Sequence, residues 1–476
     1  MKIAVIGGGG VRTPQLVETL AGRASLIHLE RLSLVDNNPH KLKIIGGLCQ
    51  AIVHASGMPF DIQCTQRAEE ALEGANYIIT TVRVGEEAGR VVDERIALEC
   101  GVLGQETTGA GGFAMALRSI PAILEYARLA KEICPQAWIL NFTNPAGLVT
   151  QALQDSGYER SVGICDSANT ARKEAAGWLQ LPVSSISDQV FGLNHLSWTR
   201  SLKCQGREML PGLLADDGFL ASSRLRLFDS HLVRRLGMYL NEYLYYYYYH
   251  DLALREISSR RTTRGEEVAE RSQRLLTELK RIDLRVQPAQ GLELYRAYRL
   301  ERSASYMNYG SGNHSLGTGQ VAALESEVTA SAEQQIAPAG KAKVSETGNG
   351  GGYAGVALEV IAALQSNTPV QVALNTRNLG AIDAMRQGDV VEVSCQVDAA
   401  GVHPQPVGAI PEHQELLIRS VKMYERLCVE AAHNRSKTLA VEALMTHPLV
   451  MSHSLASSLV DRFLAAHAAT TGIWNE

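Results

Sequence analysis

The chain has 476 residues, more than the roughly 250–300 that a single hydrophobic core supports, so it has room for two cores. Its formal net charge of −5 provides no basic field for nucleic acid or anionic lipid, and neither is an expected partner. No apolar run approaches the roughly 18 residues that a membrane span needs.

The eight cysteines are scattered along the chain and never form a CxxC pair. This spacing predicts neither a zinc knuckle nor a disulfide framework. The N-terminal stretch MKIAVIGGGG does not fit a secretory signal, because its short apolar run leads directly into glycines. We therefore expect a cytoplasmic protein with reduced thiols.

The stretch KIAVIGGGGVRTPQLVETL has the pattern of a buried strand, a glycine turn and an amphipathic helix. Gly7 and Gly9 fill the first two positions of a GxGxxG fingerprint, in which missing side chains let the backbone approach a pyrophosphate. Arg12 stands at the third position, so the fingerprint is incomplete and a plain strand–turn–helix remains the alternative. Pro14 suits the first turn of the helix.

A second predicted strand, residues 32–35, ends in Asp36. An acid at this position accepts hydrogen bonds from a ribose diol and repels a 2′-phosphate, which favours NAD over NADP. The alternative is a simple turn or cap residue before Pro39. The predicted dinucleotide contacts are Gly7, Gly9, Arg12, Thr13, Asp36, Val82 and Asn144.

Further apolar strands at 77–82 and 138–141, with a helical stretch near 121–133 between them, indicate a doubly wound parallel sheet. Ligands of such sheets gather at the carboxyl ends of the strands. Polar side chains stand at several of these predicted ends: Arg83, Asn141, Thr143, Asn144, Cys165 and Asp166.

Cys165 ends a short apolar run, and Asn194 and His195 follow another run about thirty residues later. A thiolate and an imidazole suit a borderline-soft divalent ion, and nearby oxygens suit manganese. Residue types alone leave three interpretations of Cys165 open: a packed core cysteine, a metal ligand or a catalytic nucleophile. His195 is likewise either a ligand or a buried core histidine.

The segment NEYLYYYYYHD has tyrosines at 243 and at 245–249. On a helix, Tyr243, Tyr246 and Tyr247 would share one face, which is typical of aromatic packing. A phenol acts as a general base only when a neighbouring cation lowers its pKa. Arg264, in RRTTRGEEV, is a candidate for holding an anionic group, and a surface arginine is the alternative.

With these motifs together, the chain resembles glycoside hydrolase family 4, and most of all its 6-phospho-β-glucosidases. The similarity runs nearly end to end through VIGGGGVRTPQLV, GQETTGAGGF, ILNFTNPAGLVT, FGLNHLSW, YLYYYY, TTRGEEV, NTRNLGAI, GVHPQPVG and ALMTHPLV. The combination of GQETTGAGG, NFTNPAG and GLNHLSW is highly specific.

The resemblance implies an NAD-dependent glycosidase that departs from the two-carboxylate scheme. NAD⁺ takes a hydride from carbon 3 of the sugar, and the new ketone acidifies the proton on carbon 2. A base removes that proton, the β-linked group leaves, water adds and the hydride returns. A divalent metal, usually manganese, acts as a Lewis acid at the hydroxyls of carbons 2 and 3. The implied substrate is a phosphorylated glucoside.

The resemblance also implies roles for individual residues. Cys165 and His195 match the metal ligands, and Tyr243 is the expected carbon-2 base, with Tyr246 and Tyr247 as alternatives. Arg95 is expected to contact the sugar phosphate. The full set of expected substrate contacts is Arg83, Arg95, Asn144, Asn194 and Arg264.

Two departures from the family pattern concern specificity. Its β-specific members carry asparagine after the cysteine, whereas its α-specific members carry an aspartate that acts as general acid. Asp166 is therefore expected to be an acid or a group that orients the metal ligands. Val11 and Arg12 replace a small–aromatic pair, which concerns phosphate recognition. A 6-phospho-α-glucosidase, an α-galacturonidase and a glycosidase of unphosphorylated sugars remain alternatives.

The predicted fold is α/β, with a Rossmann-like NAD-binding domain over residues 1–169 and a mostly helical α+β substrate and metal domain over 170–476. This is the architecture of lactate and malate dehydrogenases. In the second part, 390–397 is a predicted strand, 345–355 a glycine-rich loop before a helix, and 325–343 a mobile excursion. His403 is predicted in a turn. The family suggests a homodimer or homotetramer.

Two other classes of function fit such a sheet. An NAD-dependent 2-hydroxy acid dehydrogenase would need no metal-binding cysteine and would accumulate NADH. A non-enzymatic NAD(H) sensor would need neither a metal nor a base, so Cys165, His195, Tyr243 and Arg264 argue against it.

Overall fold

The computed structural model describes residues 1–57, 60–304, 352–366 and 368–476. Within these ranges the strands are β1 (Lys2–Ile6), β2 (Arg31–Val35), β3 (Asp61–Thr65), β4 (Tyr77–Thr80), β5 (Trp138–Asn141), β6 (Ser161–Gly163), β7 (Ile186–Leu193), β8 (Leu196–Cys204), β9 (Arg207–Glu208), β10 (Tyr239–Leu240), β11 (Val370–Arg377), β12 (Val390–Asp398) and β13 (Gly401–Pro404).

The helices of the described ranges surround these strands. They are α1 (Thr13–Ala21), α2 (Pro39–Ser56), α3 (Ala68–Leu72), α4 (Glu86–Glu99), α5 (Gly109–Ile133), α6 (Ala146–Asp155), α7 (Thr170–Leu179), α8 (Leu210–Ala215), α9 (Asp217–Ser222), α10 (Ser230–Leu236), α11 (Tyr245–Tyr248), α12 (His250–Ser259), α13 (Arg264–Leu279), α14 (Pro288–Ala304), α15 (Gly352–Leu364), α16 (Glu412–Asn434), α17 (Lys437–Thr446), α18 (His453–Ala466) and α19 (Ala468–Thr471). In the part of the chain that the structure describes, we find no helix with the length and apolarity that crossing a membrane requires.

The main sheet has nine strands in the order β13-β12-β11-β6-β5-β4-β1-β2-β3. The six strands from β1 to β6 run parallel, and β11, β12 and β13 continue the sheet antiparallel from β6. The strand order reverses between β1 and β4, and this reversal creates the crevice in which doubly wound sheets bind ligands. The predicted Rossmann-like parallel sheet is therefore confirmed.

The central strands form because their residues are apolar on both faces. Ile3, Ala4, Val5 and Ile6 of β1 are at most 1% exposed, as expected for a strand covered by helices on both sides. Helix α1 begins directly after the glycine turn with Pro14 in its first turn, where a missing N–H leaves no bond unmade. The sheet and this turn therefore have the local structure that the sequence predicts.

A smaller sheet follows in the second part of the chain. It contains β10, β8 and β7 in that order, with β9 paired to β8. Strands β7 and β8 form a hairpin in which Leu193 pairs with Leu196, so Asn194 and His195 are its two-residue connection. This hairpin brings a histidine from beyond residue 169 to the edge of the main sheet.

The predicted division into residues 1–169 and 170–476 stays a prediction, and the sheet itself crosses that boundary because β11 pairs with β6. The predicted strand at 390–397 is confirmed as β12. The prediction for His403 was wrong, since it lies in β13 opposite Gln396. The excursion predicted at 325–343 and most of the loop predicted at 345–355 lie outside the described residues.

Helix α4, which carries the candidate site residue Arg95, is joined to its neighbouring helices by a buried charged group. Asp93 is 1% exposed and accepts two hydrogen bonds from Arg118 of α5, at 2.9 and 2.6 Å. His467, which follows α18, lies with its Nε2 2.6 Å from the same carboxylate. This triad joins α4 and α5 to the C-terminal helices.

We expect Asp93→Ala to reduce the free energy of unfolding by about 3–5 kcal/mol, because Arg118 would remain buried without its partner. Urea denaturation of the two proteins measures the difference. The matched control is Asp61→Ala, which removes an exposed partner 4.0 Å from Arg31 and should change stability by less than about 0.5 kcal/mol. Equal effects of the two substitutions would contradict the assigned role of Asp93.

Candidate active site

The carboxyl ends of β1, β4 and β5 meet at one edge of the main sheet. A Cβ atom on Gly7 would lie 2.5 Å from the carbonyl oxygen of Thr81, so the glycine turn touches the end of β4. The backbone N–H of Val82 donates to Thr143 Oγ1 at 3.0 Å, which ties the end of β4 to that of β5. Thr143, one of the polar residues predicted at strand ends, therefore lies beside the end of β4.

The glycine turn after β1 has the features of a dinucleotide site. Gly7 has a φ of +90°, in the left-handed region that favours glycine. A Cβ on Gly9 would lie 2.8 Å from the carboxylate of Asp36, whose Oδ2 accepts the Gly9 N–H at 2.9 Å. Neighbouring groups therefore lie too close to Gly7 and Gly9 for either position to carry a side chain.

One hydroxyl in this turn has no partner within the described part of the chain. Thr13 is 2% exposed, and its Oγ1 makes no hydrogen bond there. It stands in the first turn of α1, where backbone N–H groups attract phosphate oxygens. The orphaned hydroxyl, the glycine turn and Asp36 at the tip of β2 together fit the pyrophosphate and ribose of NAD.

Cys165 and His195 lie together next to this turn. The Cys165 Sγ is 3.5 Å from His195 Nε2, and both residues are 2% exposed. Cys165 follows β6 by two residues, whereas His195 comes from the β7–β8 hairpin. The proximity supports the metal interpretation, because two ligands of one ion lie this far apart at bond lengths of about 2.0–2.3 Å.

The hairpin holds His195 in an unusual backbone conformation. Its φ is +63°, in the left-handed region that few residues other than glycine adopt. Such a conformation costs roughly 1–3 kcal/mol and persists only where the surroundings impose it. Here the short β7–β8 connection imposes it and turns the imidazole toward Cys165.

Burial sets the protonation of the two side chains. It lowers the pKa of His195 to about 3, so the imidazole is neutral at physiological pH and has a lone pair for a metal. Burial, together with the charges of Glu392 and Asp166, raises the pKa of the Cys165 thiol. A bound divalent cation reverses this preference, because a coordinating thiol loses its proton.

The described residues contain no group of three or more His, Cys, Asp or Glu side chains arranged to hold a metal ion. Cys165 and His195 are therefore a two-ligand set in that part of the chain. Two protein donors leave coordination positions open, as a catalytic metal requires for water or substrate. The residues present fit a metal that is completed by non-protein ligands.

Tyr243 covers the imidazole of His195. The two rings are parallel within 4°, with their centroids 3.6 Å apart. Tyr246 lies 6.0 Å from Tyr243, and Tyr247 contacts His447 instead, at 6.2 Å. Burial raises the pKa of Tyr247, which makes it a poor base. Of these three tyrosines, Tyr243 is the one stacked on a candidate metal ligand.

Glu106 joins several arginines at the rim of the crevice. It lies 2.6 Å from Arg90 Nη1 and 3.1 Å from Arg83 Nη1. Arg90, Arg83 and Arg12 lower the pKa of this carboxyl against the effect of its burial. Arg12 also lies over the ring of Tyr353, with its Cζ 5.6 Å from the ring centroid. This cluster gives the crevice guanidinium groups that suit an anionic ligand.

Two predicted substrate arginines have protein partners instead. Arg95 forms a bidentate pair with Glu266, at 2.8 and 2.6 Å, on a half-exposed part of α4. Arg264 lies 3.3 Å from Glu267 and donates to the carbonyl of Arg302 at 2.9 Å. Their roles as substrate contacts stay predictions.

Asn194 and the other residues beneath the site form a buried polar floor. Glu392 of β12 is fully buried and accepts hydrogen bonds from Asn194 at 3.2 Å and Ser197 at 2.8 Å. Asn375 of β11 donates to the same carboxylate at 3.1 Å. Burial raises the pKa of Glu392 to about 7. The antiparallel strands of the main sheet thus support the hairpin that carries His195.

The sequence reasoning missed Glu106 and Glu392, and it missed four residues whose hydrogen bonds surround Cys165 and His195: Gln105, Thr107, Ser167 and Asn241. Three of them lie in GQETTGAGG, a motif quoted only for the family resemblance. Glu392 had a local signal, since it is the one charged residue in the apolar strand VVEVSC. A carboxylate at an inward position of a buried strand requires partners and indicates a functional or structural site.

Comparison with known proteins gives two matches to family descriptions. Residues 2–181 match the family 4 glycosyl hydrolases, and residues 190–450 match the C-terminal domain of the same family. The two matches together cover most of the chain.

Similar proteins cover the chain nearly end to end. A probable 6-phospho-β-glucosidase of Bacillus subtilis is 31% identical over 484 residues, covering 98% of this chain and 97% of its own. A phospho-α-glucosidase of Clostridium acetobutylicum is 27% identical, covering 100% and 99%. The 6-phospho-β-glucosidase of Thermotoga maritima, solved with manganese, NAD⁺ and glucose-6-phosphate, has a TM-score of 0.77 at 27% identity, covering 98% and 99%.

Proposed function

The chain belongs to family 4 of the glycosyl hydrolases, and from this premise we propose that it hydrolyses 6-phospho-β-glucosides with NAD and a divalent metal as cofactors. The observation that carries the proposal is the cluster of Cys165, His195 and Tyr243 beside the glycine turn. A 2-hydroxy acid dehydrogenase would need no thiol 3.5 Å from an imidazole, whereas a metal-dependent glycosidase would use both as ligands. The relatives supply the substrate class.

When bound, NAD⁺ provides a reversible hydride acceptor for carbon 3 and a metal such as Mn²⁺ provides a Lewis acid beside carbons 2 and 3. Cys165 and His195 would hold the metal through Sγ and Nε2. Gly7, Gly9, Thr13 and Asp36 would hold the dinucleotide, as the close contacts of the turn support.

Tyr243 would take the proton from carbon 2 at its phenolic oxygen. Its ring is fixed by stacking on His195, so the hydroxyl is positioned relative to the metal ligands. Asn194, the neighbour of His195 in the β7–β8 connection, would orient sugar hydroxyls. Asn144, which follows β5, would do so at the cofactor edge, as the family resemblance implies. The chain's residues thus divide into those that hold cofactors and one that moves a proton.

The crevice arginines would recognise the sugar phosphate. Arg83 lies 3.1 Å from Glu106, and the charge of Arg12 lowers the pKa of the same carboxyl against the effect of its burial. Arg95 remains the residue expected from the family, although its guanidinium is paired with Glu266. An anionic substrate is consistent with either choice.

We expect the reduced protein to release nitrophenol from 4-nitrophenyl β-glucoside 6-phosphate only when NAD⁺ and Mn²⁺ are both present. NADH should not accumulate, because the hydride returns in each cycle. Absorbance at the nitrophenolate and NADH wavelengths measures both quantities in one assay. Steady NADH formation from a 2-hydroxy acid, without nitrophenol release, would favour the dehydrogenase alternative.

A second candidate is the cleavage of 6-phospho-α-glucosides, which Asp166 favours. Among the described residues its side chain has no assigned hydrogen bond, and a Cβ on Gly352 would lie 3.5 Å from its Oδ2. A carboxyl next to Cys165 and open to the crevice is available as a general acid. The phospho-α-glucosidase relative supports this possibility.

Asp166→Asn separates the two candidates. If the β-anomer is the substrate, we expect the kcat of Asp166→Asn on that sugar to differ less than about tenfold from that of the unchanged protein. If Asp166 acts as an acid on the α-anomer, activity on that sugar should fall roughly 10²–10⁴-fold, the usual contribution of general acid catalysis. The two 4-nitrophenyl 6-phosphoglucosides, assayed side by side, decide between them.

We further propose that the chain forms a homodimer or homotetramer in the cytoplasm. Leu416 and Met423, one heptad apart on α16, are 71% and 45% exposed and form an apolar face. The Cys165 thiol needs a reducing compartment to remain a metal ligand. Light scattering of the purified protein measures the oligomeric state. The NAD-binding part would be residues 1–169, with the sugar held by 170–476.

A further inference from the structure

The imidazole of His195 can bind a metal through Nε2 only in one of its two neutral tautomers. In that tautomer Nδ1 carries the proton and Nε2 keeps its lone pair. The hydrogen bonds around His195 and Cys165 determine which tautomer the imidazole adopts and how the sulfur is held. We propose that two short hydrogen-bond relays, Gln105–Thr107 and Asn241–Ser167, position the two metal ligands: the first selects the tautomer of His195, and the second fixes Cys165 Sγ opposite Nε2. This inference rests on the proposed function.

The first relay begins at a backbone N–H, which can only donate. The N–H of Thr107 donates to Gln105 Oε1 at 2.7 Å, which fixes the orientation of the Gln105 amide. The Thr107 hydroxyl lies 3.1 Å from the same oxygen and must therefore donate to it. Its remaining lone pairs face His195 Nδ1 at 3.0 Å. Nδ1 must then carry the proton and donate.

The consequence of the first relay appears on the other side of the ring. With the proton on Nδ1, the Nε2 lone pair points toward Cys165 Sγ, 3.5 Å away. Thr107 is buried, so water does not offer the ring an alternative partner of equal quality at this position. The relay therefore selects the tautomer that binds a cation.

The second relay also begins at a backbone N–H, which can only donate, and it ends at Cys165 Sγ. The backbone N–H of Tyr243 donates to Asn241 Oδ1 at 3.1 Å, so Asn241 Nδ2 is the donor toward Ser167 Oγ at 3.1 Å. Ser167 Oγ has one further assigned contact, Cys165 Sγ at 3.1 Å. Because Ser167 Oγ accepts from Asn241, its own hydrogen is available to the sulfur, and this contact holds Sγ in place.

The two relays converge on one point from opposite sides. One makes a nitrogen lone pair available and the other fixes the position of the sulfur, so that the two metal-binding atoms face each other 3.5 Å apart. Gln105, Thr107, Asn241 and Ser167 do not themselves need to touch a metal or a sugar for this effect. They are positioning residues, and residues of this type change metal affinity by about 10–100-fold.

The test is the affinity of the NAD⁺-loaded, reduced protein for Mn²⁺ alone, measured from the free Mn²⁺ signal in electron paramagnetic resonance. We expect Thr107→Val to weaken Mn²⁺ binding about 10–100-fold, because valine cannot accept the hydrogen bond from Nδ1–H. Thr107→Ser keeps the hydroxyl and should remain within about threefold of the unchanged protein. Ser167→Ala should weaken binding about tenfold.

Two further variants distinguish the relay from simple packing. Gln105→Met removes the oxygen that accepts the Thr107 hydroxyl hydrogen. It leaves Thr107, the residue in contact with His195, unchanged. We expect it to weaken Mn²⁺ binding about tenfold, because the freed hydroxyl can donate to Nδ1 and favour the wrong tautomer. Thr108→Val is the matched control, since its buried Oγ1 has no hydrogen-bond partner within the described residues.

The outcomes separate this inference from the proposed function. Thermal unfolding and NAD⁺ affinity, measured on each variant, show whether it is folded. If Thr107→Val does not fold, the Mn²⁺ affinity of Gln105→Met decides the test. Two results would overturn the relay alone. One is an Mn²⁺ affinity of Thr107→Val within threefold of the unchanged protein. The other is an equal loss of Mn²⁺ affinity in Thr107→Val and Thr107→Ser. Absence of Mn²⁺ binding by the unchanged protein would overturn the relay and the proposed metal dependence together.

Discussion

Cys165→Ser is expected to reduce turnover of the phosphorylated glucoside roughly a thousandfold while NAD⁺ still binds. A serine hydroxyl keeps the shape of the side chain with a smaller atom, but it is a poor ligand because it stays protonated where a thiolate forms. The site would lose a Lewis acid that contributes several kcal/mol to transition-state stabilisation, and each 1.4 kcal/mol corresponds to a factor of ten in rate. The glycine turn that would hold the dinucleotide is untouched.

Three measurements on this variant test the metal assignment: kcat with saturating Mn²⁺, Mn²⁺ affinity, and NAD⁺ affinity. His195→Ala should show the same pattern, since it removes the other ligand. Cys204→Ser, which changes a half-buried thiol at the end of β8, is the matched control and should leave all three values unchanged. Full activity in both Cys165→Ser and His195→Ala would rule out the assigned metal site.

Tyr243→Phe is expected to lower kcat roughly 10²–10⁴-fold with little change in affinity for Mn²⁺ or NAD⁺. Phenylalanine keeps the ring that stacks on His195, so the site should keep its shape. It lacks the oxygen that would accept the proton from carbon 2. The loss should therefore appear in the proton-transfer step.

Exchange of the carbon-2 proton with solvent deuterium, followed by NMR of the unreacted sugar and of the product, isolates that step. Tyr243→Phe should abolish the exchange. Tyr247→Phe is the control for register, because Tyr247 packs on His447 and burial raises its pKa. If the tyrosine at 247 proved essential and the one at 243 dispensable, the base would have to be reassigned.

The parallel half of the sheet was predictable because its signals are local. An apolar run such as Ile3–Ile6, followed by glycines and a proline in the next helix turn, requires one particular order of elements. The residues at strand ends then follow from a general rule about parallel sheets. For this reason the sequence alone predicts that Arg83, Asn144 and Cys165 lie at one crevice.

The supports of the site were not predictable, because their partners are distant in the chain. Thr107 and His195 are 88 positions apart, and Asn194 and Glu392 are 198 apart. No short-range pattern links such pairs. The left-handed conformation of His195 was also hidden, since the hairpin geometry imposes it rather than the residue type. The family resemblance suggested Cys165 and His195 as metal ligands, whereas the structure was needed for the groups around them.

The pairing of β11 with β6 has a consequence for folding during synthesis on the ribosome. Asn375 and Gly163 are partners in the sheet but are 212 positions apart. At about 5–20 residues per second, synthesis leaves the β6 edge unpaired for roughly 10–40 seconds. During that interval an open strand edge with Cys165 beside it is vulnerable to association with other nascent chains. The catalytic centre is therefore completed only when nearly the whole polypeptide has been translated.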